Sequence, residues 1–155
     1  MLNADEIIRR LALKPLPREG GYFRETHRSA SSPTSTAIYY LLTVDTFSAM
    51  HRLPGDEVYH FYQGDPVELL RLDPDGTGEI VRLGSDLTAG QRPQCVVPGG
   101  CWQGSRVTPG GTFALMGTTM APGFDPADYR HGDRDDLTAR YPTFAGMIDA
   151  LTRAD

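Results

Sequence analysis

No run of basic residues occurs anywhere in this chain. With 15 Lys and Arg against 20 Asp and Glu, it carries a formal charge of −5 and a pI near 5.3. A phosphate backbone is a poor partner for such a surface, so nucleic acid is not expected as a ligand. Long apolar runs are missing too. The N-terminal MLNADEIIRRLAL has acids before bases and no extended apolar core, which argues against a secretory signal or a membrane anchor. Cysteine is scarce: Cys95 and Cys101 alone give neither a disulfide framework nor a Cys-x-x-Cys redox pair, and a reduced, cytoplasmic location is the expectation. A serine-hydrolase elbow, a phosphate loop and a nucleotide fingerprint are all absent. So are internal repeats and low-complexity tracts.

What the chain has in quantity is punctuation. Its 155 residues include 17 Gly and 12 Pro, and the composition is 39% hydrophobic and 23% charged, as expected of a globular chain. Many short strands joined by tight turns fit this better than a few long helices. Residues 4–13 place Ile7, Ile8, Leu11 and Ala12 on one helical stripe, with Pro15 and Pro17 closing the helix. GGYFRETHRS then reads as a first strand, with Tyr22, Arg24 and Thr26 alternating against Phe23, Glu25 and His27. TAIYYLLTV is an apolar buried strand, and FSAMHRL, EVYHFYQG, VELLRLD, GEIVRLG, QCVVPGG, CWQGSRV and FALMGTTM follow as successive strands between turn signals. The tail, ADYRHGDRDDLTARYP and PTFAGMIDALTR, reads as two short helices capping one end. The expectation is an all-β sandwich or barrel forming a single domain over residues 1–155, with helices only at its ends.

Residues 47–69, FSAMHRLPGDEVYHFYQGDPVEL, are the most informative stretch. A histidine ends one strand, a glutamate opens the next, and a glycine closes it. This resembles the first cupin motif, in which a His-x-His pair and a Glu hold a divalent metal inside the barrel. Pro98-Gly99-Gly100-Cys101-Trp102-Gln103 is similar to the second motif, which supplies a further histidine. With GGYFRETHRS, STAIYYLLT, VVPGGCWQG and APGF, the chain resembles a small single-domain cupin family related to seed-storage barrels and deoxysugar epimerases. The match covers most of residues 14–151. It implies a jelly-roll barrel (a double-stranded β-helix), a homodimer, and a ligand pocket at the open end.

The departures bear on function. The first motif histidine falls at Ala49, the second at His51, and the second motif ends in Gln103 where a histidine is usual. An amide is a poor transition-metal ligand, and a catalytic zinc ordinarily takes three protein ligands. No cofactor and no tightly bound metal are therefore expected. His51, Glu57, His60 and Gln103 are the candidates for a loose divalent site. Strand parity puts Tyr59 and Phe61 on the face of Glu57, and His60 and Tyr62 on the other. His51 paired with Glu57 is either a general base or a clasp between strands. Trp102 is either a ring at the barrel mouth or a side chain buried against the terminal helices. Arg24 is a candidate rim charge, and His27 and His131 read as solvated.

Three readings of function follow. One is binding of a small polar, sugar-like molecule, with metal-independent isomerase or epimerase chemistry on His51, Glu57 and Tyr59 and a lining of Tyr40, Phe61, Trp102, Gln103 and Arg24. Another is a metal-dependent dioxygenase or isomerase. A binding module without chemistry is the third reading.

Overall fold

Asn3 starts the first helix. Its side chain accepts from the Glu6 amide at 2.9 Å while the Glu6 carboxylate accepts from the Asn3 amide at 3.0 Å, a reciprocal capping box over α1 (Ala4–Leu11). The helix stops at Ala12, which is left-handed at φ 55, so the turn ends it before either proline is reached. Ile7 on its inner face packs on Leu13, Leu41, Phe113 and Leu115.

A computed structural model describes residues 1–153. After α1 come β1 (Lys14–Pro15), β2 (Tyr22–Arg28), β3 (Thr36–Thr43), β4 (Ser48–Arg52), β5 (Glu57–Gly64), β6 (Val67–Leu72), β7 (Gly78–Leu83), β8 (Gln94–Val97), β9 (Trp102–Val107) and β10 (Phe113–Met120). Every strand expected from the sequence forms. The chain passes back and forth between two antiparallel sheets, ordered β1-β2-β3-β10-β5-β8 and β4-β9-β6-β7, the latter edged by β11 (Arg130–His131). This is a jelly roll of two facing sheets.

Side chains alternate across each strand, so each sheet has an inner and an outer face. Tyr40, Leu42, Tyr59, Leu69, Val97 and Met116 meet between the sheets. The outer face of the five-stranded sheet is covered by α2 (Arg134–Arg140) and α3 (Ala145–Ala150), whose Leu137 and Ile148, with Leu151, are fully buried against Met50, Leu70 and Leu72. Burial of each such side chain stabilises by about 1.5–3 kcal/mol.

The tail departs from expectation in one place. ADYRHG does not join the first terminal helix: Arg130 and His131 are extended and pair with Arg52 and His51. The helix waits for Asp133, whose carboxylate caps it by accepting from the Asp136 amide at 2.9 Å. Among the described residues no helix is long and apolar enough to cross a membrane.

Candidate functional site

The inner faces of β3, β5 and β9 build the floor of one end of the sandwich. On β5 the alternation sends Glu57 and Tyr59 inward, both buried. Gln103 on β9 lies between them: its Nε2 donates to Glu57 Oε1 at 3.0 Å, and its Oε1 accepts from the Tyr59 hydroxyl at 2.7 Å. Tyr40 on β3 donates its hydroxyl to the Gly20 carbonyl at 2.7 Å.

The loop before β2 reaches into this end of the barrel. Arg18, Gly20 and Gly21 all have positive φ, at 67, 100 and 77. A Cβ on Gly20 would run into the Phe47 carbonyl, and one on Gly21 would lie 2.9 Å from the Tyr40 hydroxyl, so only glycine lets the loop pass this close. The result is to bring Glu19 inside. Its Oε2 accepts from Ser48 Oγ at 3.0 Å and its Oε1 lies 3.6 Å from His51 Nε2. His51 is buried, with Nδ1 2.7 Å from the Ala49 carbonyl, so Nδ1 carries a proton and donates to that oxygen. Its ring stacks on Tyr129, with centroids 5.2 Å apart and planes 13° apart.

Above the floor is a cavity of about 380 Å³. Phe23, Ile38, Leu53, Met120 and Phe124 form most of its walls, with Tyr40, Tyr59, Glu19 and Glu57 below and Arg18, Glu25 and Arg28 at the rim. Arg28 is occupied there, donating to Glu25 at 2.8 Å and to the Phe124 carbonyl at 2.8 Å. Burial holds the Glu57 carboxyl above its ordinary range, and the nearby Glu19 charge adds to this; His51, Thr118 and Gln103 oppose it. Burial likewise pushes the Tyr40 and Tyr59 hydroxyls well up, so both are neutral.

Of the side chains singled out in the sequence, the fold brings His51, Glu57, Tyr59, Tyr40 and Gln103 to this end. Four expectations of placement are corrected. The His51 imidazole faces Glu19, while Glu57 is held by Gln103, because the Nδ1 bond to the Ala49 carbonyl leaves Nε2 toward the loop that carries Glu19. Trp102 is on the outer face, since neighbours on a strand point oppositely and Gln103 points in; it packs among Met50, Leu137 and Tyr141 under the terminal helices. Arg24 is on the outer face of β2, its guanidinium 5.6 Å over Tyr39, while Phe23 and Glu25 beside it face the cavity. Phe61, expected in the lining, is instead half-buried against the core between the sheets. His60 is on the outer face, with Nε2 3.0 Å from Thr119 Oγ1 and Nδ1 accepting from Gln94 at 3.2 Å. His27 is exposed, and His131 is half-buried, its Nδ1 3.1 Å from the Tyr129 hydroxyl. Glu19, Thr118 and Tyr129 were not anticipated. The Gly-Gly pair after Glu19 was the one available signal, a loop built to approach something closely.

A chain with this fold and this motif remnant is a cupin by architecture. Its residues 5–132 match the profile of the family described as Cupin superfamily (DUF985), and the chain belongs to that family. It is similar to the uncharacterised protein YML079W of Saccharomyces cerevisiae, with 31% identity over 134 residues, covering 72% of this chain and 67% of that one. Among solved structures it is similar to protein SO0799 from Shewanella oneidensis, at 36% identity and TM-score 0.92 over the whole of both chains. It is also similar to a hypothetical protein from Leishmania major, at 29% identity and TM-score 0.86, covering 99% of this chain and 100% of that one. Oxalate decarboxylase from Bacillus subtilis shares the fold at TM-score 0.60 and 14% identity, over 92% of this chain and 38% of that one.

The divalent metal that the cupin motif implies does not fit these side chains. Ala49 offers only a carbonyl, already taken by His51, and the Gln103 oxygen accepts from Tyr59. Among the described residues no three or more His, Cys, Asp or Glu are grouped to hold a metal ion.

Proposed function

We propose that this cupin binds a small organic molecule in the 380 Å³ cavity, its apolar body against Phe23, Ile38, Met120 and Phe124 and its polar head on Glu57. The observation that carries this is a buried carboxylate, fixed by Gln103 and neighboured by Tyr59, at the bottom of a cavity with mostly apolar walls that is open at one end. A few convergent polar groups beneath apolar walls is the usual build of a small-ligand site. The reading requires neither metal nor cofactor.

Ile38→Trp fills the cavity from its wall without touching the polar floor. Fragments that shift the amide resonances of Tyr59 and Thr118 in the unaltered protein should leave them unmoved in this variant. Fragments that bind both proteins equally would refute the pocket.

One feature supports catalysis in the same cavity: the Glu57 carboxyl held above its ordinary range is a stronger base than a solvated carboxylate. It suits a single-base isomerisation, in which Glu57 takes a proton from one ligand carbon and returns it to that carbon's other face or to a neighbouring carbon. The base role expected of His51 passes to Glu57, because His51 does not line the cavity. Bound ligands incubated in heavy water should gain deuterium at carbon with the unaltered protein and not with Glu57→Gln. Incorporation by both proteins, or by neither, leaves binding as the function.

A further inference from the structure

We infer that the ligand of this cavity presents an ammonium group to the floor: the occupant is a small organic amine with an apolar body. This rests on the binding reading above and specifies its chemistry.

The first argument is an account of hydrogen-bond donors. The Tyr40 hydroxyl donates to the Gly20 carbonyl and the Tyr59 hydroxyl to Gln103. Gln103 in turn donates to Glu57, Ser48 donates to Glu19, and His51 Nδ1 donates to the Ala49 carbonyl. The Thr118 hydroxyl, which also lines the cavity, is directed at the Glu57 carboxylate, so these donors at the closed end are turned to protein acceptors. What they leave toward the cavity is acceptor capacity: the remaining carboxylate lone pairs of Glu57 and Glu19 and the oxygens of the two tyrosines. A ligand head made of acceptors finds no donors there, and a head made of donors finds several acceptors.

The second argument is charge. At the rim Arg28 and Glu25 are bonded to each other and offset one another. Arg18 lies at the mouth, its guanidinium 4.6 Å over the Tyr129 ring. The floor holds two carboxylates, Glu19 and Glu57, facing one imidazole. His51 faces Glu19, and Glu57 is bonded only to the neutral Gln103 amide and Thr118 hydroxyl, so the ionised form of Glu57 has no cation of its own, and a buried charge is costly unless it is paired. A single ammonium supplies the missing positive charge and the missing donors together. The aromatic rings of Tyr40, Tyr59 and Phe23 line the same space, and their faces attract cations. A neutral polyol would meet the donor requirement but leave the charge unmet.

The test uses three probes of one shape, 2-phenylethylamine, 2-phenylethanol and phenylacetate, titrated at neutral pH into the full chain and followed by amide chemical shifts. The amine should bind about tenfold or more tightly than the alcohol, as a charge-assisted contact to a buried carboxylate predicts. The shifts should centre on Tyr59, Thr118 and Ile38, and the preference should collapse in Glu57→Gln. Glu19→Gln provides the same reading should the first variant fold poorly. Equal binding of amine and alcohol in the cavity would overturn the inference and leave the pocket standing. Preference for phenylacetate would overturn it in favour of an anion held by Arg18. An amine preference that survives both substitutions would place the amine elsewhere and overturn it too. If no probe moves the cavity resonances at millimolar concentration, the inference and the pocket fall together.

Discussion

Gln103→Leu tests whether the Glu57–Gln103–Tyr59 bridge is a structural element of the fold as well as part of the cavity floor. Leucine keeps the approximate volume and removes both polar ends of the amide. Glu57 Oε1 then loses its 3.0 Å donor, and the Tyr59 hydroxyl loses its 2.7 Å acceptor, each inside the protein where no other partner replaces it. A hydrogen bond to a charged group contributes about 1.5–3 kcal/mol, and an orphaned buried hydroxyl costs about 1–3 kcal/mol. Apolar burial of the leucine side chain offsets part of this, leaving a net loss of about 2–5 kcal/mol. For a domain of this length each kcal/mol lowers the melting temperature by about 2–4 °C, so the variant should melt roughly 5–20 °C lower. The pH dependence sharpens the test. Gln103 favours the charged form of Glu57, so its loss is felt most where Glu57 is ionised and least where it is protonated. Urea unfolding at about pH 5 and about pH 8 should therefore give a larger deficit at the higher pH. A deficit under about 1 kcal/mol, identical at both, would refute the reasoning, because no buried ionised partner could then have been orphaned.

Three other outcomes follow from the same geometry. Glu57 is held above its unfolded value near 4.5, so the folded chain binds more protons than the unfolded one over that interval; the associated stability is complete below that value and lost as pH rises through the folded one. Glu57→Gln should flatten this fall in denaturant measurements, and an unchanged slope would assign it to another group. Trp102→Ala empties a site under the terminal helices and should cost about 3–5 kcal/mol while leaving probe affinity intact; lost affinity in a folded variant would contradict its place outside the cavity. Gly20→Ala demands φ 100 of a residue with a Cβ directed at the Phe47 carbonyl. It should cost more than about 1 kcal/mol and weaken probe binding, since Glu19 moves with the loop; unaltered melting and binding would mean that the loop has other room.

Alternation and turn chemistry made the strands legible, because each of those signals acts over a few residues. The pairing of β5 with its neighbours puts Glu57 and Tyr59 inward as parity requires, and the same parity separates Trp102 from Gln103. Alternation separates Arg24 from Phe23 and Glu25 but does not say which set faces the cavity, and of the two readings of Trp102 the one that holds is burial under the terminal helices. Glu19 and Tyr129 were hidden for a different reason. Each lies in an irregular segment without periodicity, and each meets His51 only through tertiary closure. The register shift in β4 between Ser48 and His51, two residues that both meet Glu19, also has no local signature.

The two departures from the cupin metal motif are therefore more than lost ligands. Ala49 leaves no imidazole at its position, and its carbonyl takes the Nδ1 proton of His51, which aims Nε2 at Glu19. Gln103 likewise puts a bifunctional amide where a histidine would bind metal. One end holds a carboxylate and the other a phenol, a task neutral imidazole cannot perform on the same two partners while also ligating. Gln103 converts a position of convergence on a cation at the barrel centre into hydrogen bonds within the wall. Glu57, the motif carboxylate that would have neutralised a metal, remains and lines the cavity together with Glu19 from the loop before β2. A site that keeps its acids and spends its donors on itself is arranged for positive charge brought by the ligand, and the ammonium probe is the direct measure of it.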